Sequence, residues 1–248
     1  MQMTRAQKQQ FFEDGYVLVR GAVPKLMADQ ARRDINRHMR YRVMQQGRNP
    51  GLSSEPVITD LFNKSPLWGL CESVVGEGQL IPPQGGNVKL NFPDAEERPL
   101  RGGHLDLGGK LKDGLLSRGM TLLVVILVHD VPRPYMGNFC FWPGSHRAYE
   151  AAFQKDPNYV ETAKANRRIP DIDLPHGPIQ LMGEAGDAVI CHHQMYHNAG
   201  PNHSPDIRYA VIFRPRHVNA RENSTDAMAD IWREFEGLAH LKEEAMVV

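Results

Sequence analysis

The chain has 248 residues, 29 basic and 29 acidic, for a formal net charge of +0; one domain with a full core fits that length, and no overall field draws it to nucleic acid or to an anionic membrane. Its three cysteines, Cys71, Cys140 and Cys191, are odd in number and form no CxxC pair, which argues against a disulfide framework or a thiolate zinc site and fits a reducing, cytoplasmic setting. The start, MQMTRAQKQQFFEDG, has no apolar leader core, and the longest apolar run, Met120 to Val128, is too short to cross a bilayer, so a soluble, intracellular protein is expected.

In chain order, Thr4-x-x-Gln7 is a capping box opening a short helix that Gly15 stops. Residues 16–19 read as a strand. Pro24 begins a longer helix to about residue 46, with Leu26, Ile35, Met39 and Val43 as its apolar positions. Residues 47–56 read as a loop, and Ser65-Pro66 caps and starts a helix ending near Gly76. From about Leu80 the pattern changes to short strands punctuated by Gly, Pro, Asn and Asp, at 84–92, 102–107, 120–129, 137–142, 178–182, 187–192, 195–200 and 207–216. Residues 145–175 interrupt it with a helical AYEAAF and an insertion expected to cover one end of the barrel, and 225–240 reads as an amphipathic helix.

The expected architecture is therefore mainly β with flanking helices, a double-stranded β-helix (jelly roll, cupin-like) in a single domain over 1–248. Residues 1–80 form a mostly helical N-terminal support, 84–216 the jelly-roll core and 225–240 a C-terminal helix.

The chemistry centres on His104-Leu-Asp106. An imidazole and a carboxylate two positions apart on a strand point the same way. One further imidazole would complete a 2-His-1-carboxylate facial triad, which occupies one face of an octahedral Fe(II) and leaves positions for cosubstrate and oxygen. Three histidines compete for that place in the 187–200 hairpin: His192, His193 and His197. His197 is the choice here; the other two read as buried histidines. Together with Arg208 the set suggests an iron-dependent oxygenase.

Arg208 opens an apolar strand whose same-face neighbours are Ala210 and Ile212. An arginine pointing into an apolar interior is costly unless it meets an anion, whether a bound carboxylate or a structural partner such as Asp187 or Asp206. Asn87, Lys89 and Asn91 share one face of the first long strand, so Lys89 is a candidate second cosubstrate contact, and Thr121 is the one hydroxyl on the apolar 120–129 strand that could reach a carboxylate. Pro143-Gly144 reads as a turn with Ser145 as the cap of the next helix, Trp142 as a packing residue, and His146 as part of the cap.

These residues give the chain a family resemblance. Phe12-Glu-Asp-Gly-Tyr-Val-Leu-Val19, His104-x-Asp106, Gly137-Asn138 leading to Trp142-Pro-Gly-Ser-His146, Gly186-Asp187, and His197 followed eleven positions later by Arg208 resemble the phytanoyl-CoA dioxygenase family of Fe(II)/2-oxoglutarate-dependent oxygenases. The resemblance implies a double-stranded β-helix, with His104, Asp106 and His197 as catalytic iron ligands and Arg208 binding the distal carboxylate of 2-oxoglutarate. It also implies O2 as cosubstrate and oxidation of a C–H bond of a small molecule, by hydroxylation or a related outcome, with succinate and CO2 as co-products. The carboxylate ligand Asp106 is intact, unlike in related halogenases. After His197 the chain has Asn-Ala-Gly200 where many members have Gly-Ser.

The segment Gly108 to Gly119, with Lys110, Lys112 and Arg118, reads as a lid or as a plain solvated loop; as a lid it would suit an anionic small molecule. Two other classes stay open at this point: a cupin-type metalloenzyme that does not use 2-oxoglutarate, and a catalytically silent small-molecule binding protein. The expected partner is a small-molecule substrate, with neither nucleic acid nor membrane; substrate identity and oligomeric state are not encoded in any motif.

Overall fold

The computed structural model describes residues 1–39, 51–106, 120–156, 172–223 and 226–246. Its first helix, α1 (Arg5–Asp14), starts on the expected capping box: the Thr4 hydroxyl accepts the Gln7 N–H at 3.2 Å, and Gln7 Oε1 accepts the Thr4 N–H at 2.9 Å. Gly15, at φ 79°, ends it, and β1 (Tyr16–Val19) follows. Helix α2 (Lys25–Met39) buries Ala28, Ala31 and Ile35, so the inward stripe is two alanines followed by one larger aliphatic residue. Leu26, expected on that stripe, is 75% exposed. The expected continuation to residue 46 lies outside the described residues.

Helix α3 (Pro56–Asn63) was not foreseen, although proline stands at its first position and Ile58, Leu61 and Phe62 bury on one side. Helix α4 (Leu67–Val75) is steadied by Ser65, whose hydroxyl accepts the Leu67 N–H at 3.2 Å and donates to the Leu61 carbonyl at 2.7 Å.

The β-region contains β2 (Leu80–Ile81), β3 (Asn87–Asn91), β4 (Leu122–Leu127), β5 (Phe139–Phe141), β6 (Ile179–Gln180), β7 (Ala188–His192), β8 (His197–Ala199), β9 (Arg208–Phe213) and β10 (Arg216–His217), with α5 (Ser145–Lys155) between β5 and β6. The strands form a five-stranded sheet in the order β1-β7-β4-β9-β3, a three-stranded sheet β6-β5-β8, and a separate β10-β2 pair. Every pairing among them is antiparallel.

Side-chain alternation sorts the large sheet into two faces. Leu122, Val124, Ile126, Ile190, Val211 and Phe213 pack outward with Phe11, Ile58, Phe62 and Leu70 of the helices. Leu123, Val125, Leu127, Val189 and Cys191 face Phe139, Phe141 and Leu181 of the smaller sheet. Two sheets face to face make the expected double-sheet architecture, though they do not close into a barrel.

Four expectations about elements need correction. The 102–107 strand reduces to a single bridge between His104 and His197, and 207–216 divides into β9 and β10 at Pro215, which has no N–H to give and whose carbonyl instead accepts the N–H groups of Thr121 and Leu122 at 2.8 and 3.3 Å. Ser145 is inside α5, with Gly144 at φ 75° before it, and the serine hydroxyl accepts the Tyr196 N–H at 2.9 Å. The 225–240 helix is broken. After α6 (Ala220–Asn223) come α7 (Asp226–Ala229), a turn, a 3-10 turn Glu236–Leu238 and α8 (Ala239–Met246). Gly237 lies so close to α4 that a Cβ there would strike the Ser73 carbonyl, and the chain gives up helical continuity for that approach.

Candidate metal centre and its surroundings

The short sheet brings the first cluster together. His104 and His197 exchange backbone hydrogen bonds, at 2.8 Å from the His104 N–H and 3.1 Å from the His197 N–H. Gly103 permits this closeness, since a Cβ there would collide with the His197 backbone. The side chain of Asn198 ties the two segments further by donating to the Gly102 carbonyl at 2.8 Å. The departure from Gly-Ser after His197 thus has a local structural role.

Asp106 follows on the same side as His104. Its Oδ1 is 3.4 Å from His104 Nε2 and its Oδ2 is 3.8 Å from His197 Nε2. One ligand atom from each of the three residues lies within 4.8 Å of the other two, the only such group among the described residues. Donors about 2.1 Å from a common ion would sit roughly 3 Å apart, so small side-chain rotations close the set. Two imidazoles and one carboxylate are also the donor types of a ferrous facial triad. The residues present fit a metal ion.

Protonation suits the same role. His197 Nδ1 is 2.9 Å from the Met195 carbonyl, which can only accept, so the proton belongs on Nδ1 and the Nε2 lone pair is left for a metal. Burial pushes the His197 pKa down to about 4, and the ring is neutral at pH 7. Burial opposes ionisation of Asp106, but hydrogen bonding from His104 and the nearby His197 and Arg214 outweigh it and hold the carboxyl well below its ordinary range. The His104 side chain is 51% exposed and that of His197 6%. The centre is walled on one side and open on the other. Phe139 forms part of the wall, its ring 5.5 Å from that of His197.

Arg214 was missed in the sequence. Its Nε and Nη2 donate to Asp106 Oδ2 at 2.8 and 2.6 Å, a charge-assisted double contact. The signal is in the alternation: 208, 210, 212 and 214 fall on one face, so Arg214 continues the side that Arg208 begins. Because Oδ2 is held by the guanidinium, Oδ1 is the oxygen left to a metal.

Arg208 lies on that inner face, 5% exposed. Its Nε donates to the Gly137 carbonyl at 2.6 Å and Nη1 approaches the Lys89 carbonyl at 3.5 Å. No carboxylate pairs with it among the described residues: Asp187 is taken by Arg20 at 2.7 Å, and Asp206 is exposed. Burial lowers its pKa to about 10, so a full positive charge stays in the interior at neutral pH. Lys89 is half-buried and pairs in register with Ala210, between Arg208 and Arg214 on the inner face. Asn91, opposite Arg208, donates to the Gly200 carbonyl at 2.9 Å.

Thr121 does not join this group. Its hydroxyl donates to Glu234 Oε2 at 2.6 Å and accepts the His217 N–H at 2.8 Å. The double acceptance of the Pro215 carbonyl described above turns Thr121 toward the helices. Of the competing histidines, His192 is fixed by Ile231 O at 2.9 Å and by the Gln194 N–H at 3.1 Å, with its ring stacked 5.1 Å from Phe235. His193 lies 4.1 Å from it, ring to ring. His146 is fully buried, 5.5 Å from Trp232, and burial pushes its pKa down to about 3. Trp142 packs edge-on against Tyr196 at 4.9 Å. The 108–119 lid candidate and most of the insertion after α5 lie outside the described residues.

Residues 116–210 match the family model described as phytanoyl-CoA dioxygenase (PhyH), which bears out the motif resemblance over a stretch that holds His197 and Arg208 and begins after His104 and Asp106. No curated protein matches the chain. Among solved structures, HygX from Streptomyces hygroscopicus, with nickel and 2-oxoglutarate bound, is similar at 17% identity and a TM-score of 0.61, over 88% of each chain. EctD from S. alaskensis, in its apo form, gives 15% and 0.60 over 88% of this chain and 78% of that one. The α-ketoglutarate-dependent carbocyclase SnoK from nogalamycin biosynthesis gives 16% and 0.57, over 86% and 84%. The chain shares the fold of these proteins.

Proposed function

With phytanoyl-CoA dioxygenase family sequence across its centre and a fold shared with 2-oxoglutarate enzymes, we propose that the protein is an Fe(II)- and 2-oxoglutarate-dependent dioxygenase that oxidises a C–H bond of a small molecule. The observation that carries the reading is the buried charge of Arg208, which no carboxylate answers among the described residues, on the same interior as a converging two-histidine, one-carboxylate cluster. A buried charge left without a partner costs several kcal/mol. A diacid that reaches both Arg208 and the cluster removes that cost.

His104 Nε2, Asp106 Oδ1 and His197 Nε2 would hold the iron, which together with 2-oxoglutarate and O2 supplies the oxidising chemistry and yields succinate and CO2. The protein's own work is placement. Met195 fixes the His197 tautomer and Arg214 fixes the Asp106 carboxylate. Arg208 takes the distal carboxylate of the cosubstrate, with Lys89 as a second contact. Phe139, Phe141 and the apolar wall of β4 and β7 keep water from that side. A metal centre that used no diacid would leave the Arg208 charge unanswered by any carboxylate among the described residues, and a silent binding protein would show no turnover with iron and 2-oxoglutarate. The free, buried Cys71, Cys140 and Cys191 support a reducing, cytoplasmic setting, and no helix among the described residues is long and apolar enough to cross a membrane.

The test is anaerobic addition of Fe(II) and 2-oxoglutarate, which should give the weak visible charge-transfer band of a chelated ferrous centre. Arg208→Met should weaken 2-oxoglutarate binding roughly 10- to 100-fold, as loss of a charge-assisted pair does, and leave Fe(II) binding within about twofold. It should also leave the ligand-free protein at least as stable, because an uncompensated cation is gone. Iron bound without the band, or equal loss of metal and cosubstrate, would overturn the reading.

A further inference from the structure

Building on the reading of His104, Asp106 and His197 as a metal centre, we infer that Leu105 and Ser145 are positioning residues for it. Through them helix α5 braces both ligand-bearing segments, so its packing sets how tightly, and in what geometry, the ion is held. The backbone of 102–106 pairs with the rest of the protein only at the His104–His197 bridge, among the described residues. One bridge fixes the spacing of the two segments but leaves the shorter one free to turn about its own axis. Something else must fix the direction in which His104 and Asp106 project.

Leu105 does so. It stands between the two ligands, and alternation sends its side chain the opposite way from theirs. There it is 7% exposed, in a cluster with Tyr149 and Phe153 of α5 and Met228 of α7. Seating the leucine among these side chains sets the rotation of the segment, and with it the aim of the imidazole and the carboxylate.

The first turn of α5 holds the other segment. Ser145 is fully buried; its hydroxyl accepts the Tyr196 N–H at 2.9 Å and donates to Met195 Sδ at 3.3 Å. Just before the helix, the Trp142 N–H donates to the Tyr196 carbonyl at 3.0 Å. Met195 is the residue whose carbonyl fixes the His197 ring through Nδ1, so Ser145 acts on the ligand through that carbonyl. The helix is itself secured from both sides. The Gly144 N–H donates to the Asp14 carbonyl and Arg147 Nη2 to the Phe12 carbonyl, each at 2.8 Å, while Gln154 Nε2 donates to the Ala229 carbonyl at 2.7 Å. His104, Asp106 and His197 are thereby referred to one rigid frame, which ligand atoms 3.4 and 3.8 Å apart require if small rotations are to close them on an ion. The Trp142-Pro-Gly-Ser-His146 run, which supplies no metal ligand, acquires a role in this way.

The test is a Co(II) titration of the metal-free protein, followed by visible absorption, at a temperature where each variant is folded. Leu105→Ala and Ser145→Ala should each weaken Co(II) binding roughly 10-fold, the scale of losing a residue that orients a ligand, and should alter the Co(II) absorption bands, which report coordination geometry. Leu105→Met, which conserves volume, should restore both affinity and spectrum. A merely structural role would lower the unfolding midpoint and leave the spectrum of the folded protein unchanged. Leu123→Ala, equally buried but in the apolar half, supplies that comparison. Should Leu105→Ala fail to fold, the milder Leu105→Val takes its place. Unchanged affinity and spectrum in either the Leu105 or the Ser145 variant would overturn the inference, as would an equal loss in Leu123→Ala. Failure of the unmodified protein to bind Co(II) would sink the metal centre itself; binding that these variants do not disturb would sink only the brace.

Discussion

The interior between the sheets has two unlike halves. On the side of β1, β7 and β4, the inward residues Leu123, Val125, Val189 and Cys191 are all fully buried and pack on Phe139 and Phe141. On the side of β9 and β3, the inward residues are Arg208, Ala210, Ile212, Asn87, Lys89 and Asn91, with Arg214 just beyond. Both halves present their outer faces to one continuous apolar core, through Val124 and Ile190 on one side and Val88, Leu90, Val211 and Phe213 on the other. The contrast shows how the fold separates stability from chemistry: the apolar half holds the sheets together, and the polar half can tolerate buried cations because the same strands are anchored from behind.

The largest effect is expected from the cluster. Asp106→Ala should weaken Fe(II) binding by more than the roughly 10- to 100-fold typical of losing a supporting residue, while thermal unfolding of the metal-free protein stays close to normal. Metal affinity that survives this change, measured by Fe(II) or Co(II) titration, would dissolve the functional side of the comparison.

Leu123→Ala probes the other half. Removing a fully buried leucine should destabilise the protein by about 2–5 kcal/mol, read as a lower denaturant midpoint, with Fe(II) affinity almost unchanged. A loss of metal binding as large as in Asp106→Ala would show that the two halves are not separable.

Acid should sharpen the comparison further. His197 beside the cluster and His146 in the aromatic layer have folded pKa values of about 4 and about 3, both lowered by burial from an ordinary 6.5. Because the unfolded chain takes up these protons first, stability is unaffected above pH 6.5 and declines as pH falls toward 4 and then 3. For His197 the decline amounts to up to ~3 kcal/mol. His197→Gln in the metal-free protein should flatten the upper part of the profile and leave the part below pH 4. Denaturant midpoints collected between pH 7 and pH 4 decide this, and an unaltered slope would place the proton uptake elsewhere.

Much of this arrangement was legible along the chain. The capping box at Thr4, the stop at Gly15, eight of the β-segments and the two-residue spacing of His104 and Asp106 follow from local rules: cap chemistry, backbone conformation and the period of a strand. The separation of β9 from β10 is also local, since Pro215 cannot donate, yet a continuous apolar run concealed it. Helix α3 was hidden because its eight residues are too few to show a clear period against the neighbouring loop. The break in the 225–240 helix depends on a contact with α4, some 160 residues away in sequence.

By itself, then, the sequence determined the donor types, the strands that carry them and the family pattern they form, because alternation and spacing are properties of the backbone. Only the tertiary structure decided which histidine stands beside His104 and Asp106, that Arg214 grips the carboxylate, that Thr121 turns away to Glu234, and that no acid answers Arg208 among the described residues. Each of those depends on strand pairing between distant segments, and pairing is settled by how whole faces bury, which no local stretch of residues contains.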